Sequence, residues 1–177
     1  SSKKDRNDLQ ENDYTVKTIV TTNLLADISA NYQVKCYETL TGFKYIGEVM
    51  TNLLGQERYL VGGEESYGFL IGDLVRDKDA VNSCAFIAEM TAYFKSEGKT
   101  LFDVLLDLYV EYGFYKEKLI SLTRKGKAGA DEIKQMMHNL RTATPTSLGG
   151  IQVKEVRDYE NQEASNLISG EKTAIDL

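Results

Sequence analysis

The alternation of strand and helix character between Tyr14 and Asp73 is what most constrains the fold of this chain. Tyr14-Thr-Val-Lys-Thr-Ile-Val-Thr-Thr22 is dense in β-branched residues and reads as a strand. Thr22 or Asn23 can cap a helix in which Leu24, Leu25, Ile28 and Tyr32 fall at helical spacing. Val34 to Tyr37 is a second short strand. Thr41-Gly-Phe-Lys44 then opens a second helix, with Phe43, Ile46, Val49, Met50, Leu53 and Leu54 on one apolar face and Gly55 ending it. Tyr59 to Val61 is a third strand. Strand, helix, strand, helix, strand predicts a parallel sheet covered by helices.

The third strand runs into Gly62 and Gly63, read here as a turn, and then into Glu64, Glu65 and Ser66. Glycines allow close backbone approaches that a Cβ forbids. Ionised carboxylates only accept hydrogen bonds, whereas a serine hydroxyl both donates and accepts, so this set suits the hydroxyls of a sugar. On these residues alone, a surface turn with solvated acids is the simpler account. Lys44, in the first turn of the second helix, adds a cation where the helix dipole already favours an anion. A solvated lysine on an amphipathic helix is the simpler account of that position taken alone. In Arg76-Asp-Lys-Asp79 the aspartates read as helix caps, and Arg76 or Lys78 can meet an anion beside the glycine turn.

A helix from Ala80 to about Lys95 follows, with a small-residue face, Ala80, Val81, Cys84, Ala85, Ala88 and Ala92, expected to be buried. Leu101 to Tyr112 is a further helix, stopped by Gly113. Beyond about Tyr115 the character changes. Lys118 to Thr123 reads as a strand, Arg124 to Gly129 as a basic loop, and Ile133, Met136, Met137 and Leu140 mark a short helix. Ile151 to Tyr159 is another strand candidate, followed by a polar run to Leu177. Two strands and one helix bury little core by themselves. The expected architecture is therefore α/β, a layered mixed or parallel sheet with helices on both faces over residues 1–115. An incomplete α+β second domain over residues 116–177 follows it.

Composition bounds the function. Of 177 residues, 42% are hydrophobic, enough for a core, and 27% are charged. A net charge of −6 argues against nucleic acid or an anionic membrane as a partner. No apolar run reaches transmembrane length, the polar N-terminus leads to the expectation of no signal peptide, and the two cysteines, Cys36 and Cys84, lack metal-ligand spacing. Two buried thiols in the cytoplasm is the expectation. The single histidine, His138, leaves little room for histidine-based catalysis. Gly98-Lys99-Thr100 is not a P-loop, because Tyr93 stands where the motif needs glycine and a helix precedes it.

Together, Thr39-Leu-Thr-Gly-Phe-Lys-Tyr-Ile-Gly-Glu48, Gly63-Glu-Glu-Ser-Tyr-Gly-Phe-Leu-Ile-Gly-Asp73 and Arg76-Asp-Lys-Asp-Ala80 resemble, in order and spacing, the third domain of the α-D-phosphohexomutases. These are the phosphoglucomutase and phosphomannomutase enzymes. The residues beyond Tyr115 are similar to the linker and first part of the fourth domain. The resemblance implies that Gly63, Glu64 and Ser66 form the G-E-x-S loop that contacts sugar hydroxyls, with Glu65 at its variable position. It implies that Lys44 lies near the substrate. Arg76 is a further candidate anion contact. The phosphoserine, the Mg²⁺-binding D-x-D-x-D cluster and the R-x-S-G-T phosphate loop of the family have no counterpart in this sequence, so no residue here is expected to be catalytic or to bind metal. The implied partners are a hexose phosphate, glucose or mannose 1- or 6-phosphate, and the remaining domains of a parent enzyme that uses Mg²⁺. A non-catalytic sugar-phosphate-binding or interaction module is the alternative.

Overall fold

The computed structural model describes residues 8–118 and 120–175. The chain divides into two units, residues 1–119 and 120–177. The first is built on a four-stranded sheet of β1 (Asp13–Thr18), β2 (Lys35–Thr39), β3 (Arg58–Glu64) and β4 (Gly68–Ile71), in the order β2-β1-β3-β4. β1 runs parallel to both β2 and β3, as the alternating elements predict, while β4 returns antiparallel to β3.

Side chains alternate across β1, and each face has its own helix. Tyr14 and Val16 join Phe43, Ile46 and Met50 in a buried cluster that Tyr59 and Leu70 complete. Phe43, Ile46 and Met50 belong to one helix of this unit, Phe43–Asn52. On the opposite face, Thr15 Oγ1 lies 2.9 Å from Ser29 Oγ of the helix Leu24–Asn31. In chain order these helices are α1 (Leu24–Asn31) and α2 (Phe43–Asn52), followed by α3 (Ala80–Ser96) and α4 (Leu101–Tyr112). The Asp79 side chain accepts the Asn82 amide and starts α3, and a capping box between Thr100 and Asp103 starts α4. At the opposite end of the strands from Glu64, Arg58 makes a two-pronged contact with the fully buried Asp13, at 2.6 and 2.9 Å, joining the starts of β1 and β3.

Three expectations are corrected here. Gly62 and Gly63 are not a turn, because β3 runs through both and the chain reverses at Glu65–Tyr67, with φ +53° at Tyr67. Both glycines answer to packing instead. A Cβ on Gly62 would lie 2.7 Å from the Val16 carbonyl oxygen, and one on Gly63 would lie 2.8 Å from that of Gly68. The small face of α3 is exposed, not buried. The helix meets β4 through Ser83, which is buried, and Asn82, whose side chain donates to the Ile71 carbonyl at 2.7 Å. The two thiols expected to be buried are not both so: Cys84, on that face of α3, is exposed, and Cys36, on β2, is half-buried, where burial pushes its thiol above the usual range.

The second unit holds α5 (Gly126–Thr142), a short hairpin of β5 (Ser147–Leu148) and β6 (Ile151–Gln152), and a three-stranded antiparallel sheet. The sheet consists of β7 (Glu155–Asp158), β8 (Glu163–Asn166) and β9 (Lys172–Ala174). The strand expected over Lys118–Thr123 is irregular backbone at Lys118 and from Ile120 to Thr123, with Leu119 outside the described residues. The basic loop is largely the first turn of α5. Arg124 folds over that turn, where a Cβ on Gly129 would lie 2.7 Å from the Arg124 backbone. The polar run after Tyr159 supplies β8 and β9, whose short, charged segments lack the apolar alternation that marks a strand.

Candidate functional site

The C-terminal ends of parallel strands are where open α/β sheets hold ligands, and Glu64 is the last residue of β3. Its position follows from the antiparallel return. Glu64 pairs with Gly68, so Glu65, Ser66 and Tyr67 form the tip of a tight hairpin. Glu64 Oε1 accepts the Gly42 backbone N–H at 2.8 Å, and Oε2 lies 3.6 Å from Lys78 Nζ. Gly42 takes φ +121°, a conformation suited to glycine, and that turns its amide to the carboxylate. The Glu64 side chain is 11% exposed, whereas Ser66 and Tyr67 at the tip are open to solvent.

Glu65 faces the turn after β1. Its Oε2 lies 3.4 Å from Thr18 Oγ1 and 3.3 Å from Thr21 Oγ1, and its Oε1 lies 3.3 Å from Ser66 Oγ. Beneath that turn the ammonium of Lys17, only 2% exposed, reaches the carbonyls of Thr18 and Thr21 at 3.3 and 3.2 Å and Glu38 Oε1 at 2.5 Å. The ends of β1, β2 and β3 thus meet through one polar cluster.

Of the sequence-derived candidates, the structure gathers Gly63, Glu64, Glu65 and Ser66 at one strand end. Lys44 is exposed on the first turn of α2, its ammonium 4.7 Å from the centre of the Tyr45 ring. Arg76 lies elsewhere. It donates to the Asp73 carbonyl at 2.7 Å and lines a cavity of about 140 Å³ with Tyr14, Arg58, Tyr59 and Asp73, by the opposite strand ends. The cation beside Glu64 is Lys78, whose ammonium also lies 5.1 Å from the centre of the Phe43 ring. The sequence leaves Arg76 and Lys78 equivalent. Only the path of the chain from Asp73 to Asp79, along the length of β4, separates them. Lys17, Thr18 and Thr21 went unrecognised, although a lysine inside a β-branched strand run is a readable anomaly.

Among the described residues, no three carboxylate, histidine or cysteine side chains converge to hold a metal ion. No helix among them is long and apolar enough to cross a membrane.

Comparison with known proteins identifies the family. The family described as phosphoglucomutase/phosphomannomutase, alpha/beta/alpha domain III, matches residues 2–112. The chain is 35% identical over 162 residues to a phosphoglucomutase of Staphylococcus haemolyticus, covering 92% of this chain and 30% of that protein. It is 35% identical over 161 residues to one of Staphylococcus epidermidis, covering 91% and 30%. It is also 35% identical over 152 residues to one of Staphylococcus aureus, covering 86% and 28%. The chain belongs to the phosphoglucomutase/phosphomannomutase family and carries its third α/β/α domain. It spans about 30% of the length of these curated relatives.

Proposed function

We propose that this chain is the sugar-recognition part of a phosphohexomutase. The parent enzyme would move phosphate between O1 and O6 of a hexose phosphate. The observation that carries the reading is the β3–β4 hairpin tip, with Glu64 held against the Gly42 amide beside Lys78 and Ser66 open to solvent. Glu64 and Ser66 contact sugar hydroxyls, and Gly63 lets the hairpin close under them. Lys78 and Lys44 supply cations for the phosphate, while Arg76, at the far strand ends, contributes to the fold. The phosphate-transferring group and Mg²⁺ belong to other parts of the parent, which works in the cytoplasm. Residues 116–177 are the linker and the beginning of its fourth domain.

Two or three hydrogen bonds of roughly 1 kcal/mol each fall short of the ~4 kcal/mol of millimolar affinity. The isolated 177-residue chain is therefore expected to bind glucose 1-phosphate more weakly than about millimolar and to show no mutase turnover. Nuclear magnetic resonance titration with glucose 1-phosphate should shift the amides of residues 63–68, and Glu64→Ala should abolish those shifts. Turnover of glucose 1-phosphate by the purified chain, or shifts confined to other residues, would overturn the reading. In the longer enzyme, Glu64→Ala is expected to lower kcat/KM by about 10- to 100-fold, the worth of a hydrogen bond to a charged group. Unchanged kinetics there, with ligand shifts intact here, would favour a module that binds sugar phosphate without taking part in catalysis.

A further inference from the structure

Glu65 stands between the two residues assigned to the sugar, and its surroundings give it a separate task. Ser66 has one hydroxyl proton, and its Oγ lies 3.3 Å from Glu65 Oε1. An ionised carboxylate can only accept, so that proton points to Glu65 and the Ser66 lone pairs are left facing solvent. Glu65 is exposed, and its other oxygen lies 3.3 and 3.4 Å from two threonine hydroxyls. Those hydroxyls lie 2.8 Å apart and share two protons among three contacts, so at least one proton goes to the carboxylate. Thr18 is fully buried and Thr21 nearly so, and their turn is closed by the Thr21 amide on the Thr18 carbonyl at 3.0 Å. The Lys17 ammonium then binds both carbonyls from below and is neutralised by Glu38.

We infer that Glu65 is a positioning residue that sets the hydrogen-bond polarity of Ser66, and that Lys17, Thr18 and Thr21 form the seat that holds it. Ser66 and Glu64 then present acceptors only, so the ligand must bring a donating hydroxyl to Ser66. A ring substituent of the same size that cannot donate is rejected. The ligand half of this inference rests on the sugar-binding reading above. The positioning half does not.

The test has two arms, both on the 177-residue chain labelled with ¹³C and ¹⁵N. Without ligand, Thr21→Val removes one hydroxyl from the seat while leaving Lys17 and its charge pair in place. It is expected to shift the Ser66 amide and Cβ resonances while leaving Gly42, the partner of Glu64, unmoved. Lys17→Met should move the same Ser66 resonances, and Thr21→Val keeps the test decisive if Lys17→Met does not fold. An unmoved Ser66 in Thr21→Val overturns the positioning.

With ligand, glucose 1-phosphate is compared with analogues in which one ring hydroxyl at a time is replaced by fluorine, which accepts but cannot donate. The wild-type chain is expected to bind one analogue about fivefold more weakly, the worth of one neutral hydrogen bond. Glu65→Gln turns an amide N–H₂ towards Ser66 and frees its proton to donate. That variant should fold as the wild type does and lose the discrimination. A variant that keeps it, or a wild type that never shows it while still binding glucose 1-phosphate, overturns the polarity claim. If glucose 1-phosphate shifts no amide in the hairpin, the sugar-binding reading fails and the ligand half fails with it. The ligand-free spectra then decide the positioning half alone.

Discussion

Glu64 closes the N-terminus of α2: its Oε1 accepts the Gly42 backbone N–H at 2.8 Å, across 22 residues of sequence. The same carboxylate that is assigned to the sugar therefore also ties the end of β3 to the start of α2. Glu64→Gln keeps the shape but weakens a charge-assisted bond. Its expected cost is about 1 kcal/mol in urea unfolding, together with a downfield or upfield displacement of the Gly42 amide resonance. A Gly42 amide that does not move would show that the contact is not formed in solution.

Gly62 and Gly63 are expected to be the least replaceable residues of β3. Gly62→Ala places a methyl group 2.7 Å from the Val16 carbonyl, in the middle of the sheet, where neither strand can give way. Overpacking of this kind costs about 1–3 kcal/mol. Gly72→Ala is the control, because nothing lies within 4 Å of its added methyl and only its positive φ opposes the change. Chemical denaturation should rank Gly62→Ala as clearly the more damaging. Equal midpoints would mean that the sheet adjusts freely around Gly62.

Tyr59 is buried, and its hydroxyl donates to the Leu70 carbonyl at 3.1 Å. Burial raises its pKa well above that of a free tyrosine, and burial also raises that of Tyr14. The folded state holds these protons more tightly than the unfolded chain does. Their contribution to stability is therefore complete below about pH 10, the unfolded tyrosine value, and is lost as the pH rises further. Spectrophotometric titration should show these two phenols ionising only as the protein unfolds. Tyr59→Phe, which removes this hydrogen bond while the Leu70 carbonyl keeps its place in the β3–β4 ladder, should cost about 1 kcal/mol.

In the second unit, Arg141 grips Asp158 at 2.7 and 3.2 Å and reaches Glu160 at 2.5 Å. Hydrogen bonding to Arg141 holds the Asp158 carboxyl down from its ordinary 3.8 to about 2. The folded state binds this proton more weakly than the unfolded chain. Asp158 thus contributes stability above about pH 4, and that contribution is lost as the pH falls towards 2. A ¹³C titration of the Asp158 carboxyl should find its midpoint well below those of the exposed aspartates, and Arg141→Ala should raise it, with the Asn161 hydrogen bonds holding part of the shift. A wild-type midpoint at the ordinary value would show the pair to be open in solution.

Much of the fold was legible because α/β layering writes itself into periodicity. β-Branched density marks β1, helical spacing marks α1 and α2, and Asp79 marks the start of α3 with a side chain suited to capping. β4 was not legible. Gly68–Ile71 is four residues long and follows two glycines that read as a turn, and its strand character comes from pairing with β3 rather than from its own pattern. The buried face of α3 was misjudged for a related reason. Its small residues make a plausible packing stripe, but the contacts it makes with β4 are polar, through Asn82 and Ser83.

For the site, the sequence by itself determined which groups are present. Two carboxylates and a hydroxyl follow a glycine-bearing strand, with cations at positions 44, 76 and 78, and those residue types suit hydrogen bonding to hydroxyls and meeting an anion. Only the tertiary structure decided how the groups divide the work. Glu64 turns to the Gly42 amide and Lys78, Glu65 turns to Thr18, Thr21 and Ser66, and Arg76 lies by the other ends of the strands. The physical reason is that adjacent residues at a hairpin tip point in different directions. The partners each one finds are set by strand register and by the turn after β1, which lie more than 40 residues away in the chain and leave no local trace in its pattern.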